Sequence, residues 1–295
     1  MCGIVGYVGK KQAVPILIDG LSKLEYRGYD SAGVAVMDDG KIKVKKSKGR
    51  LSILEEKLNI DKSINGIMGI GHTRWATHGE PSDTNSHPHL SRSGKFAIVH
   101  NGIIENYIKL RNMLIGKGFE FISETDTEVI AHLVEYYYTG DMIETVAKVS
   151  SKVDGSYALG ILCDDNPDTF VAVRKESPLI VGLGEGENFI ASDIPAILTH
   201  TRDVYFLENN EIVVLKADDV KVYNSEGDEI KKYVFHVDWD ISAAEKGGYE
   251  HFMFKEIMEQ PKAIRDTVSP RIKDGRIVLD DITLTEEYIR SINKI

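Results

Sequence analysis

The chain opens on MCGIVGYVGK, residues 1–10, where a cysteine follows the initiator methionine and leads into a short apolar run punctuated by Gly3, Gly6 and Gly9. The run predicts a glycine-bounded strand over about residues 3–8. Its thiol admits two readings: a small buried side chain near a chain end, or the first residue of a mature chain that carries chemistry. The small side chain at position 2 permits removal of Met1. Cys2 then carries both a thiol and the α-amine, with ordinary pKa values near ~8.5 and ~7.7–8.0, a nearly matched nucleophile and base on one residue.

Outward from this strand, QAVPILIDGLSKLEYRG (12–28) spaces Val14, Leu17, Leu21 and Leu24 as a helix does. SAGVAVMDDGKIKVKKS (31–47) then alternates as two strands around Asp38, Asp39 and Gly40, a hairpin by its Asp-Gly dipeptide. A short polar helix is expected near 51–58, followed by strands entering GIMGIGHTRWATHG and in KFAIVHNGII. Helices follow in IENYIKLRNMLIGKG, in TDTEVIAHLVEYYYTG with Thr125 or Asp126 as its cap, and near 141–152. Further strands read in SYALGILC, TFVAVRK, PLIVGLG, NFIASD, VYFLENNEIVVLK and VKVYN. Hairpins on either side of a helical block predict an α+β fold of antiparallel sheets packed with helices, not alternating βαβ units.

The texture shifts near residue 240, so the expected organisation is a domain over 1–240 and a connector over 241–295. The connector has a Gly247-Gly248 break, an amphipathic helical stretch with Phe252, Phe254, Ile257 and Met258, and a Ser269-Pro270 stop.

Over 295 residues, 36 Lys+Arg against 46 Asp+Glu give a net charge of -10, which repels phosphate backbones and points to small-molecule work, not nucleic acid or acidic membrane. The basic run KIKVKKSKGR (41–50) sets Lys41, Lys43 and Lys45 against Ile42 and Val44, the wet face of a half-buried strand. The 2 cysteines, Cys2 and Cys163, indicate no disulfide framework, and Cys163 in SYALGILCDD reads as a buried thiol. No stretch reaches the roughly 20 apolar residues of a membrane span, and the N-terminus lacks the charged start of a secretory signal. A cytoplasmic, reducing compartment is expected.

Four segments carry chemistry. GHTRWATHGEPSDTNSHPH (71–89) gathers Arg74, Trp75, Thr77, His78, His87 and His89 in a polar loop behind a strand. Arg74 suits a substrate carboxylate, with hydrogen bonds added by Thr77 and His78. A metal site on His72, His78, His87 and His89 is the rival, but no cysteine cluster or HExxH frame supports it. VHNGIIENY places Asn101 and Gly102 after a strand, where a side-chain amide and a backbone N–H form an oxyanion hole, or else a plain Asn-Gly turn. Asp126 in SETDTEVIAHL serves as a helix cap or a partner for a substrate ammonium. LEYRGYDSAG (24–33) reads as a turn with an internal Arg27–Asp30 ion pair, and GLGEGE (182–187) reads as a turn, since Glu185 and Glu187 would repel a phosphate.

Taken in order, MCGIVGYVG, LEYRGYDSAG, GHTRWATHG, VHNGIIEN and SETDTEVI resemble the glutaminase domain of the glutamine–fructose-6-phosphate aminotransferases, within the N-terminal-nucleophile (class II) glutamine amidotransferases. YEHFMFKEIMEQP resembles the passage into the isomerase domain of those enzymes. The resemblance implies a four-layer αββα sandwich and hydrolysis of L-glutamine through a γ-glutamyl thioester on Cys2. It implies that Arg74, Thr77, His78 and Asp126 hold the glutamine, that Asn101 and Gly102 stabilise the oxyanion, and that Trp75 helps close the glutamine loop. It implies no cofactor and no metal. Ammonia would pass to a fructose-6-phosphate site in isomerase domains that lie beyond residue 295, and the full-length enzyme is expected to be a homodimer. A phosphoribosyl-acceptor amidotransferase and a non-catalytic glutamine-binding module are the alternatives.

Overall fold

The structure is a computed structural model that describes residues 2–61, 63–238, 249, 252–279, 282 and 284–294. The chain divides into two units, Met1–Ala244 and Glu245–Ile295. Met1 and most of the segment with the expected Gly247-Gly248 break lie outside the described residues.

The first unit follows from alternation along its strands. These are β1 (Gly3–Val8), β2 (Ser31–Asp38), β3 (Lys41–Lys48), β4 (Met68–Arg74), β5 (His89–Leu90), β6 (Phe96–Ile104), β7 (Gly155–Cys163), β8 (Phe170–Lys175), β9 (Ile180–Leu183), β10 (Asn188–Ala191), β11 (Asp203–Phe206), β12 (Ile212–Leu215), β13 (Val220–Tyr223), β14 (Glu229–Ile230) and β15 (Phe235–His236). They form an 8-stranded sheet in the order β15-β11-β9-β10-β1-β4-β2-β3 and a 7-stranded sheet in the order β14-β13-β12-β8-β7-β6-β5. The pairings in both sheets are antiparallel, as in β1 with β4 and β6 with β7.

Successive side chains on a strand point to opposite faces, so each sheet carries two apolar faces. Ile4 and Val8 of β1 pack with Ala97 and Val99 of β6 between the sheets. Val5 and Tyr7 face the other way, against Leu17 and Leu21 of α1 (Ala13–Ser22) and Leu54 of α2 (Leu51–Ile60). On the second sheet, Phe96 and Ile98 pack under α3 (Tyr107–Ile115), α4 (Glu128–Tyr137) and α5 (Met142–Ser150). The outcome is helix, sheet, sheet, helix: the expected four-layer αββα sandwich.

Local chemistry explains most boundaries. Asp39 and Gly40 take φ 49° and 71°, the left-handed pair that closes the β2–β3 hairpin. Asp141 caps α5 by accepting the Ile143 and Glu144 amides. GLGEGE forms the β9–β10 turn, with the Gly184 amide donating to the Glu187 carbonyl at 2.9 Å.

Two details differ from the sequence expectations, and the basic run keeps to them. VYFLENNEIVVLK splits, its first half joining the 8-stranded sheet as β11 and its second the 7-stranded sheet as β12. Neither Thr125 nor Asp126 caps α4: Thr127 stands at the N-cap without a side-chain bond. Glu128 turns back instead to accept the Ile122 and Ser123 amides. Burial opposes its ionisation, but bonds from His132, Ser123 and these amides hold its carboxyl down at about 2. In the basic run Lys41, Lys43 and Lys45 pair with Asp164, Asp38 and Asp61 at the surface, whereas Lys46 points inward and donates to the Thr84 carbonyl.

In the second unit, α6 (Phe252–Val268) contains Pro261 and ends before Ser269-Pro270, as expected. A short hairpin of β16 (Ile272–Lys273) and β17 (Arg276–Ile277) follows, then α7 (Glu286–Ser291), capped by Thr285. Among the described residues, no helix is long and apolar enough to cross a membrane.

Candidate active site

The start of β1 delivers Cys2 to the end of β4, because the register sets Gly3 opposite Thr73. Cys2 therefore meets the residues that leave β4. The Trp75 amide donates to its Sγ at 3.1 Å. Burial pushes the thiol pKa up from its ordinary value, and the Trp75 N–H works against that rise. A half-buried thiol with its pKa raised ionises less readily than a free one, so a base close at hand would assist it.

A cavity of about 350 Å³ opens beside the sulfur, within the roughly 300–1,000 Å³ typical of small-molecule sites. All eight sequence-derived candidates line it: Cys2, Arg74, Trp75, Thr77, His78, Asn101, Gly102 and Asp126. They come from the two sheets, the loop after β4 and the segment that leads into α4, so only the sandwich unites them.

Arg74 is 4% exposed. Its Nη2 donates to the carbonyls of His78 and Gly79, which folds the 75–79 loop around the guanidinium. Its Nη1 is buried and makes no hydrogen bond among the described residues. A buried cationic N–H on a cavity wall is a site for an anion. Asp126, also 4% exposed, accepts the Ile104 amide at 2.8 Å through Oδ2. That bond replaces the expected helix cap and anchors the carboxylate to β6, on the cavity wall.

Asn101 and Gly102 form no Asn-Gly turn. They lie within β6, paired in register with Ala158 and Tyr157. Gly102 has φ 132°, and a Cβ there would lie 2.0 Å from the Ser156 carbonyl oxygen, so only glycine fits. Asn101 Nδ2 donates to the Cys2 carbonyl at 3.0 Å, which ties the strand of one sheet to the nucleophile of the other. An amide nitrogen has two N–H groups, so a second donor is left for the cavity.

The remaining candidates frame the mouth. Trp75 is 52% exposed and meets the Tyr29 ring edge-on at 6.0 Å. His78 Nδ1 lies 3.3 Å from Thr77 Oγ1, and its ring meets Tyr107 edge-on. Asp30 accepts the Ala76 amide, which holds this loop from the side of β2. The expected Arg27–Asp30 pair does not occur among the ion pairs of the described residues: Arg27 pairs with Asp193 at 2.8 Å, because the chain between them turns Arg27 toward the end of β10.

His72, His87, His89 and His100 form a buried column, of which His87 and His100 reach the cavity wall. His87 stacks on His72 at 4.1 Å and lies parallel to His100 at 6.4 Å, with His89 edge-on to it at 4.9 Å. Burial lowers the pKa of each, that of His72 to about 3, so the rings are neutral. Several of their nitrogens serve protein groups: His100 Nδ1 lies 2.8 Å from Thr127 Oγ1 and His89 Nε2 lies 3.1 Å from Thr125 Oγ1. Among the described residues, no three His, Cys, Asp or Glu side chains converge as a metal cage would require.

The lining also includes His87, which the sequence offered only as a ligand of the rival metal site, and Arg27, His100, Thr125, Thr127, Ser156, Ser177 and Pro178, none of which carried a site role in the sequence. Thr125, Thr127 and His100 stood inside the motifs already quoted, adjacent to assigned positions. Ser156, Ser177 and Pro178 carry no local signal, since β7 and the β8–β9 connection reach the cavity only through sheet pairing.

A cysteine thiol at the start of the first strand of an αββα sandwich, beside a cavity lined by a buried guanidinium and a side-chain amide, is the architecture of an N-terminal-nucleophile amidotransferase domain. Residues 72–199 match the family described as "Glutamine amidotransferase domain". A solved structure, the glutamine phosphoribosylpyrophosphate amidotransferase from B. subtilis complexed with ADP and GMP, superposes with TM-score 0.67 at 25% identity, over 77% of this chain and 50% of that one. Over its whole length, this chain is 63% identical to the glutamine–fructose-6-phosphate aminotransferase [isomerizing] of Caldanaerobacter subterraneus, and 62% identical to that of Clostridium tetani, in each case over 48% of the relative. The chain belongs to the glutamine amidotransferase family, as the glutamine amidotransferase domain of the glutamine–fructose-6-phosphate aminotransferases. It spans about half the length of the curated relatives it matches.

Proposed function

We propose that this chain hydrolyses L-glutamine to glutamate and ammonia at Cys2. The observation that carries the reading is convergence on one cavity of the Cys2 thiol, the buried Arg74 Nη1, the Asp126 carboxylate and the Asn101 amide. Arg74 binds the α-carboxylate of glutamine and Asp126 its α-ammonium, with Thr77 and His78 completing the pocket and Trp75 folding over its mouth. The γ-carboxamide carbon then lies at the sulfur.

Once Met1 is removed, the α-amine of Cys2 takes the thiol proton as sulfur attacks the carbonyl carbon. A C–S bond forms and the carbonyl π pair moves to oxygen, where Asn101 Nδ2 and the Gly102 N–H stabilise the oxyanion. The amine's proton passes to the leaving nitrogen, ammonia departs, and the thioester remains. Water then attacks the thioester, breaks the C–S bond and releases glutamate, with the thiol restored. While Met1 is attached, the Cys2 nitrogen is an amide and no such base exists. The raised pKa of the half-buried thiol is the reason a base assists it.

The identity to glutamine–fructose-6-phosphate aminotransferases supports the use of this ammonia for glucosamine-6-phosphate synthesis from fructose-6-phosphate, in a longer enzyme in which residues 241–295 are a linker and the start of the isomerase portion; we take that enzyme to be homodimeric and cytoplasmic. The identity favours fructose-6-phosphate over a phosphoribosyl acceptor.

Ammonia release from glutamine on chain lacking Met1 tests the activity, with mass spectrometry for a glutamyl adduct on Cys2. Cys2→Ala should abolish turnover and leave glutamine binding largely intact. Binding without turnover in the unmutated chain would leave only a glutamine-binding module.

A further inference from the structure

Asn101 can serve an oxyanion only if its carboxamide presents nitrogen, not oxygen, to the reacting centre. The two orientations are nearly equal in shape, so something must choose between them. His72 sits opposite Ile4 in the β1–β4 register, and Ile4 packs in the core between the sheets. Its Nε2 lies 3.0 Å from the His100 carbonyl oxygen and 3.0 Å from Asn101 Oδ1.

The His100 carbonyl can only accept, so Nε2 must carry a proton. Nδ1 of the same ring is buried and makes no hydrogen bond among the described residues, which leaves no acceptor for a second proton. The ring is held in plane by stacking on His87, at 4.1 Å and 22°. A fixed Nε2–H demands an acceptor from the Asn101 amide. Oδ1 therefore turns to His72, and Nδ2 turns toward Cys2, where it donates to the Cys2 carbonyl.

We infer that His72 is a positioning residue that locks the Asn101 carboxamide with its N–H groups toward the nucleophile, through a neutral imidazole protonated on Nε2. The inference rests on the oxyanion role proposed for Asn101. His72 itself does not touch substrate, so its loss acts only through the amide it orients.

The test is a double-mutant cycle on glutaminase kcat in the chain lacking Met1. Asn101→Ala is expected to lower kcat by roughly 100- to 1,000-fold, as removal of an oxyanion donor does. His72→Leu keeps bulk and removes the donor. It should lower kcat by roughly 10- to 100-fold while the KM for glutamine moves less than about threefold. In the Asn101→Ala background, His72→Leu should cost nothing further in kcat. His72→Gln, whose amide can donate, should recover most of the loss.

Equal kcat losses in both backgrounds would mean a merely structural role and would overturn the inference, as would an unaffected His72→Leu enzyme. If Asn101→Ala itself leaves kcat intact, the oxyanion reading fails first, which separates the two. Should His72→Leu not fold, ¹⁵N NMR of the unmutated protein decides: a neutral His72 protonated on Nε2 supports the inference, and the Nδ1 tautomer overturns it.

Discussion

The histidine column makes acid stability a sharp test of the interior. His72, His87, His89 and His100 are all held neutral by burial, so each takes up a proton only when the chain unfolds. Arg74 beside His72, His87 and His89, and Lys46 beside His89, push the same way, while Glu128 near His89 and Asp126 near His100 push against it. The folded pKa values are depressed. Stability is therefore full above the unfolded value near ~6.5 and falls as pH drops below it, because the unfolded chain binds more protons. Each such histidine contributes a slope approaching ~1.4 kcal/mol per pH unit.

For His72, whose folded pKa is about 3, the loss at pH ~5 is about 2 kcal/mol. The other three share its sign, which sets an upper bound of about 8 kcal/mol for the column, comparable with the whole stability of an ordinary domain at ~5–15 kcal/mol. Urea unfolding followed by tryptophan fluorescence, from about pH 7 down to about pH 5, measures it directly. We expect a loss above the ~2 kcal/mol of His72 alone, and a shallower slope in His87→Phe, which removes one titrating ring. A change under about 1 kcal/mol, or an unaltered slope in that variant, would refute the assignment of four buried neutral rings.

Three further outcomes are expected. Arg74→Lys should raise the KM for glutamine by roughly 100-fold or more, since one ammonium cannot both hold the His78 and Gly79 carbonyls and pair with a carboxylate; steady-state kinetics with unchanged KM would contradict the assignment. Gly102→Ala should lose activity and stability together, because its Cβ would meet the Ser156 oxygen at 2.0 Å and no small shift of a flexible side chain relieves a backbone clash; an active, equally stable variant in a thermal melt would exclude the strand geometry described. Leu17→Ala, at a fully buried position of the helix–sheet core, should cost about 2–5 kcal/mol in chemical denaturation, with little effect on the KM of the surviving folded enzyme.

Much of this protein is local and therefore legible. The α1 face of Leu17 and Leu21, the Asp39-Gly40 turn and the alternating strands follow from side-chain periodicity and from glycine's access to positive φ, both properties of a few consecutive residues. The glutaminase motifs likewise placed every assigned residue on the cavity wall. The misreadings concern partner choice. Asp126 looked like a cap because a carboxylate at a helix start has a ready local use, yet it accepts from Ile104 on β6. Arg27 looked paired to Asp30, three residues on, yet Asp193 receives it.

The sequence by itself determined the cysteine that leads into the first strand and the antiparallel α+β class, because these depend on local pattern, while the residues proposed to hold glutamine came from the family resemblance of their motifs. Only the tertiary structure decided how they act together. Two sheets stacked face to face bring His72 of one against Asn101 of the other, and so orient an amide that neither strand could orient alone. A hydrogen bond across that interface joins residues 29 positions apart, and no local pattern encodes which atom of each will meet.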